Sequence, residues 1–387
     1  MRWSALAVAA VVAAVAVLLH ARMLAASALD AATHLLQQED NAVIAGDPAA
    51  LASVFTPGAT ASLQSASNRL QYVQDWAQAR GARFIGVRVE VAARELQASA
   101  DGDVARMAVT VSEAFTYVWD AHPDSPQTFG LGTRRKLELV RRDGVWRIAS
   151  QTFIDPLDQE TRLPGPATPG HAAYLPAPLP APAPRPGYDA EAAVRYADTF
   201  CGAAPGCGNG GLYNSAFRDY NAGGGDCTNF TSQILHVGGG IPEGSGWSYE
   251  GGAAGDGSLA WVRAPSLLAY ILARGRGRVL ARGTYAELVA RGPDGHSAAD
   301  ALAPGDLIAY FEGGRVVHFG LVAGRDAGGY PVVDTHTADR YHVPWDLGWD
   351  QSTQFIFVRL GDTVPTPAAR ALAARLAETR PARSCAG

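Results

Sequence analysis

The sequence predicts an α+β protein of two units, and three observations carry that prediction. Residues 29–79 have helix-forming composition, then alternating stretches rich in Val, Thr and Phe run to Phe153. Nine prolines fall between Pro164 and Pro186. Beyond them, helical segments again precede alternating strands. Helices that feed an antiparallel sheet, without regular strand–helix alternation, give α+β rather than α/β. A chain of 387 residues is also long for one core.

The first 28 residues read as an export signal. Arg2 supplies a basic start, and Ala5 to Leu19 is an apolar run of 15 residues. Ala26-Ser27-Ala28 fits a small-x-small cleavage site. The run is short for a membrane span of about 20 residues, so an uncleaved anchor is the weaker alternative. Either reading places the chain outside the cytoplasm, secreted or in the cell envelope, with membrane contact only through an uncleaved leader.

Residues 29–156 form the smaller unit. Leu29–Ala45, Pro48–Phe55 and Ser65–Ala79 read as helices. Phe84–Leu96, Ala105–Trp119, Gly130–Arg141 and Val145–Phe153 read as strands, with Asp101-Gly102 and Asp143-Gly144 as hairpin turns. His34 and His122 are isolated and carry no constellation. Residues 157–187 form a proline-rich spacer with polyproline II character, expected to hold two separate cores apart.

Residues 188–360 form the larger unit, and 361–387 a tail with a helical Ala/Arg-rich stretch. Tyr188–Phe200 and Ala264–Leu272 read as helices; Asp306–Phe311, Arg315–Ala323, Tyr330–His336 and Phe355–Leu360 read as strands. Of the four cysteines, Cys201 and Cys207 flank a Gly/Pro-rich loop and are expected to bridge. That leaves Cys227 as a thiol, with Cys385 in the tail as a further unpaired one.

The chemistry concentrates in Asp226-Cys-Thr-Asn-Phe-Thr-Ser-Gln233 and Val316-Val-His-Phe-Gly-Leu-Val322. Asp226 is expected to cap a helix with its carboxylate, placing Cys227 where the helix dipole favours a thiolate. Alternation puts His318 on a strand face beside Gly320, positioned as a base. A third group should orient the imidazole. Asp334 and His336 share a face of the next strand. Electrostatics alone prefers Asp334, because a carboxylate stabilises an imidazolium. His236, His296 and His342 read as bystanders. Asn229-Phe230-Thr231 matches a glycosylation sequon incidentally.

These pieces resemble known families. Tyr188 to about Leu360 is similar to the amidase domain family of secreted bacterial proteins. The likeness rests on Tyr188-Asp-Ala-Glu-Ala-Ala-Val-Arg-Tyr-Ala197, Asn209 to Tyr220, Asp226-Cys-Thr-Asn-Phe230, Gly238-Gly-Gly240 with Trp247, Ala260-Trp261, and Thr335-His-Thr337 with Asp339. Leu302-Ala-Pro-Gly-Asp-Leu-Ile308 and His318-Phe-Gly-Leu-Val-Ala-Gly324 also resemble cell-wall endopeptidases of the NlpC and CHAP kinds. The resemblance implies a papain-like cysteine hydrolase with Cys227 as nucleophile, His318 as base and His336 in third place, ahead of Asp334. The smaller unit resembles SnoaL-like (cystatin-like) domains in pattern only.

The resulting expectation is an exported, thiol-dependent amide hydrolase acting on peptidoglycan or peptide amide bonds. The Cys227 backbone N–H and one of Tyr213, Asn214 or Tyr220 would steady the oxyanion, with Asp226 beside them. The alternatives are a non-catalytic envelope-binding module of the same fold and an acyltransferase using the same residues. A net charge of −5 with scattered arginines speaks against nucleic acid. The cysteines lack zinc-site spacing and no histidines pair at i, i+4, so no metal or other cofactor is read from the sequence.

Overall fold

A computed structural model describes residues 5–99, 101–154, 176, 179 and 184–377. The first unit opens with helices α1 (Ala5–Ala45), α2 (Pro48–Val54) and α3 (Thr60–Arg80). The Asp47 carboxylate accepts the N–H groups of Ala49 and Ala50 to start α2, with Pro48 at its first position. Gly81, at φ 64°, ends α3. Strands β1 (Ala82–Ala98), β2 (Val104–Trp119), β3 (His122–Arg142) and β4 (Val145–Phe153) follow as an antiparallel meander. Helix α1 runs unbroken through the expected leader boundary, and Ala28, Ala32 and Leu36 are buried in this unit's core. No helix among the described residues is long and apolar enough to cross a membrane.

The second unit begins with α4 (Ala190–Phe200), started by the Asp189 carboxylate on the Ala192 N–H. A disulfide joins Cys201 and Cys207, as their spacing suggests. Then come α5 (Cys227–Gln233), β5 (Tyr249–Glu250), β6 (Asp256–Gly257), α6 (Leu259–Val262) and α7 (Ala264–Ala273). They lead into β7 (Gly277–Gly283), α8 (Tyr285–Val289), β8 (Leu307–Glu312), β9 (Arg315–Arg325), β10 (Pro331–Thr335), β11 (Asp339–Pro344) and β12 (Gln354–Leu360). Helix α9 (Pro367–Ala377) buries Ala373 and Leu376 against α7, which gives the tail helix a packing task. The fold is α+β. Strands β7 and β11 were not read from the sequence: the first is arginine-rich, and the second is a short run carrying Asp339 and Arg340.

Each unit keeps a core of its own, and the two share a third. Among the described residues, one ten-stranded sheet runs through both, in the order β1-β2-β3-β11-β10-β9-β8-β12-β7 with β4 also on β3. The length of β3 makes this possible. Its residues Arg135–Arg142 pair with β4, while Gly130, Leu131 and Gly132 on the same edge pair with Tyr341, Arg340 and Asp339 of β11. A Cβ on Gly130 would lie 2.1 Å from the Pro205 carbonyl oxygen, so only glycine lets the disulfide loop seat on β3. One apolar core mixes Trp76, Phe84 and Trp119 with Tyr330, Trp345 and Phe357.

Polar contacts lock this joint. Trp76 Nε1 and Arg80 Nε donate to Asp346 Oδ2 at 3.0 and 2.8 Å, and Tyr330 donates to Oδ1 at 2.7 Å. Tyr117 and Trp119 both donate to Asp326. The expectation of two cores held apart is therefore corrected in part: each unit has a core, but sheet pairing and a shared aromatic core join them. Most of the 157–187 spacer lies outside the described residues.

The full chain should unfold in one urea transition, with coincident circular dichroism and fluorescence midpoints. Asp346→Ala should cost about 3–5 kcal/mol, because it strands a buried guanidinium and two further donors. Two separated transitions in the wild type would contradict the shared core.

Candidate active site

Helix α5 starts at Cys227 and packs on β9 and β10. All seven of its residues are buried. Asp226 precedes it, but its carboxylate does not cap the helix as expected. Asp226 Oδ1 accepts from the Tyr220 N–H and from Asn229 Nδ2. Oδ2 lies 2.7 Å from His336 Nδ1. The tertiary pairing with His336 outcompetes the local cap.

His336 is thereby assigned. Its Nε2 donates to the Phe200 carbonyl at 2.7 Å. A carbonyl only accepts, so Nε2 carries a hydrogen, and the Nδ1–Oδ2 contact must hold a proton as well. Burial raises Asp226 above the usual carboxylate range, against the pull of His336. The ring is stacked between Tyr213 and Phe230, each 3.7 Å centre to centre. His336 therefore grips the start of α5, and its contacts do not reach the imidazole of His318.

The group that meets His318 is Thr335. Thr335 Oγ1 donates to the His336 carbonyl at 2.6 Å, so at 2.7 Å it accepts from His318 Nε2–H. The ring lone pair then sits on Nδ1, the nitrogen suited to take a proton. Burial, with the charges of Arg340 and His336, pushes His318 well below its ordinary 6.5. Thr337 completes the run, since its Oγ1 accepts the Asp226 N–H at 2.7 Å. Three consecutive residues thus hold His318, the Asp226 carboxylate beside the cysteine and the backbone at the helix start.

Asp334 faces away from His318. Between Val332 and Val333 the β9–β10 register slips by one residue, and Asp334 then pairs with Leu321. A one-residue bulge exchanges the two faces of a strand. It carries Thr335 onto the His318 face and turns Asp334 toward α4. Burial and the nearby Asp198 carboxylate push Asp334 well above the usual carboxylate range. Neither Asp334 nor His336 fills the third position by geometry, and Thr335, the residue between them, does.

The oxyanion candidates are engaged elsewhere. Tyr213 donates to Asp339 and also accepts from Arg134 of β3. Asn214 Nδ2 donates to Tyr196, and Tyr220 donates to Asp256. The space beside Gly320 is filled by the Tyr310 hydroxyl and Val333. Asn229, 2% exposed, accepts from Trp261 Nε1 and is no glycan acceptor surface.

Cys227 is fully buried, and it is not the free thiol that was expected. Its Sγ is in a disulfide, and the partner lies outside the described residues, as does Cys385. An open groove of about 800 Å³ is walled by Arg88, Glu90 and Thr110 of the first unit and by Tyr213, Asn214 and Asp339 of the second; Cys227 and His318 do not line it. The Arg134–Asp339–Tyr213 contact brings the first unit into the site. No motif in residues 29–156 signals this, since it depends on β3 meeting β11.

Residues 187–359 match the family described as "Putative amidase domain". The matched stretch coincides with the second unit, from just before α4 to β12. Over 175 residues the chain is 31% identical to "Uncharacterized protein YhbB" of Bacillus subtilis (strain 168), 43% of this chain and 47% of that protein. The chain thus spans about half the length of this curated relative. Similar solved structures include a type 2 hexachlorocyclohexane dehydrochlorinase (LinA), at 15% identity over 34% of this chain and 87% of that one, TM-score 0.23. Another is a domain of unknown function with a cystatin-like fold from Nostoc punctiforme, at 14% identity over 32% and 74%, TM-score 0.21. Scores this low do not bear on activity.

Thr335→Val keeps the shape and strands the His318 Nε2–H. It should lower kcat about tenfold or more with little change in KM, and the unpaired buried donor should cost about 1–3 kcal/mol of stability. His336→Ala breaks a pair whose side chains are both 1% exposed and should cost about 3–5 kcal/mol of stability. If His336→Ala is stable and only kcat falls, the two roles are exchanged.

Proposed function

We propose that this protein is a thiol-dependent amide hydrolase. Cys227 is the nucleophile, His318 the base, and Thr335 the group that orients His318. One observation supports the reading most. Asp226, the neighbour of Cys227, bonds His336, and Thr335, the neighbour of His336, bonds His318. Two short contacts and two peptide links therefore join nucleophile to base.

The thiol loses its proton to His318 Nδ1 as Sγ attacks the amide carbonyl. His318 returns that proton to the leaving amine, and water then hydrolyses the thioester. The Cys227 backbone N–H, at the helix start, stabilises the oxyanion. The groove beside Tyr213 takes the substrate, with the first unit as one wall. The apolar leader run and the Cys201–Cys207 bridge suit an exported protein, so the substrate class is peptidoglycan or another peptide amide outside the cytoplasm.

Cys227 must be reduced before it can act. A thiol reductant supplies two electrons and two protons, giving the Cys227 thiol and the partner's thiol while the reductant is oxidised. A rival reading, a non-catalytic binding module, is favoured by the same disulfide, which would then be structural.

Purified full chain, with and without a thiol reductant, should be incubated with peptidoglycan sacculi and with mixed peptides. Amine release should appear only after reduction and vanish in Cys227→Ala. A reduced protein whose Cys227 labels with iodoacetamide yet releases no amine from either substrate supports the binding module instead.

The pH profile has a definite sign. His318 is a base only while neutral, and its pKa in the fold lies below 6.5. The acid limb of kcat/KM should therefore fall below pH 6.5, with activity retained through that value. An acid limb above about 7 would contradict a buried, neutral His318.

A further inference from the structure

The bulge that removes Asp334 from His318 places it in a second cluster. Asp334 on β10, Asp198 on α4 and His342 on β11 each offer one donor atom, and these atoms lie within 4.8 Å of one another. His342 Nε2 is 3.0 Å from Asp198 Oδ1, and the His342 backbone N–H donates to Asp334 Oδ1 at 2.8 Å. His342 adopts φ 52°, which brings both its N–H and its ring to the carboxylates. Asp334 is 1% exposed, and its Oδ2 has no hydrogen-bond partner among the protein atoms. No arginine or lysine among the described residues pairs with Asp198 or Asp334. Two facing carboxylates, with the buried Asp334 Oδ2 left unpaired by His342, call for a cation or a shared proton. A surface-accessible imidazole completes the set, since the Asp198 and His342 side chains are about one-third exposed, at 34% and 33%.

From this we infer a divalent-cation site formed by Asp198, Asp334 and His342, separate from the Cys227–His318 cluster. One imidazole with two carboxylates suits a first-row divalent ion of the zinc class, and an imidazole disfavours calcium. Donors about 2.1 Å from one ion lie roughly 3–4 Å apart, so a donor pair at the 4.8 Å limit would close by about 1 Å on binding. Solvent at the exposed edge supplies the remaining positions.

The ion has a clear structural consequence. Asp198 lies two residues before Phe200, whose carbonyl holds His336, and three before Cys201 of the disulfide. Asp334 immediately precedes Thr335, which holds His318. A cation here staples the end of α4 to β10 and β11, and so steadies the residues that position the base. It is not a reaction centre, because none of its ligands contacts Cys227 or His318.

The test uses the full, untagged chain with its disulfides intact, stripped with a chelator and titrated with zinc chloride. Calorimetry and elemental analysis should give one zinc per chain, with a rise in Tm. Asp334→Asn, which is isosteric, and His342→Gln should each weaken binding by tenfold or more and abolish the Tm rise. If Asp334→Asn does not fold, Asp198→Asn at the exposed edge decides the matter. Saturable zinc binding unchanged in these variants would overturn the site. So would the absence of saturable binding in the wild type, which would leave a shared proton between the carboxylates. Amide hydrolysis is not a readout here, so failure of this site leaves the reading of Cys227 untouched.

Discussion

The contact between Asp226 and His336 is the constraint on which the site depends. It buries an acid and an imidazole with one proton between them, stacks the ring between Tyr213 and Phe230, and anchors the start of α5 to the end of β10. A buried pair of this kind is costly to desolvate and worse to break, so it persists only where the surrounding structure satisfies both members. Here the Phe200 carbonyl, the Tyr220 N–H and Asn229 do so. With α5 pinned, Cys227 has one position. With Thr335 pinned through the His336 carbonyl, His318 has one tautomer. Burial, with the nearby charge of Arg340, holds His318 well below its ordinary pKa.

The first unit is structural to this arrangement in a literal sense. Arg134 of β3 reaches Asp339, which also holds Tyr213 and the Ala203 N–H of the disulfide loop. Tyr213 in turn covers His336. The shared sheet, the Asp346 cluster and the groove wall join the two units. The smaller unit is better described as a wall and brace of the second unit than as a domain at the end of a spacer.

Burial also bears on accessibility. Cys227 and His318 are 0% and 1% exposed, and the sulfur is held in a disulfide. Under the proposed function this state is latent, and the proposed activity requires reduction together with an opening at Cys227. Thiol–disulfide exchange depends on access to the attacked sulfur, so local opening at the end of α5 sets the rate of activation.

The sequence by itself determined the helix that starts at Cys227, the strand that carries His318, the Cys201–Cys207 loop and the α+β order. Each is a local matter of period, turn chemistry and short spacing. The Thr335-His-Thr337 motif was also legible as important, but its roles were not. Which of its residues meets His318 depends on a one-residue slip between β9 and β10, and parity counted along one strand cannot see a bulge in its partner. Asp226 looked like a cap because capping is local, and it became the partner of His336 because a buried imidazole 110 residues away offers a stronger bond. The joining of the two units, and the meeting of Asp198, Asp334 and His342, were decided only by tertiary structure. They bring together residues far apart in the chain, where no periodicity links one to another.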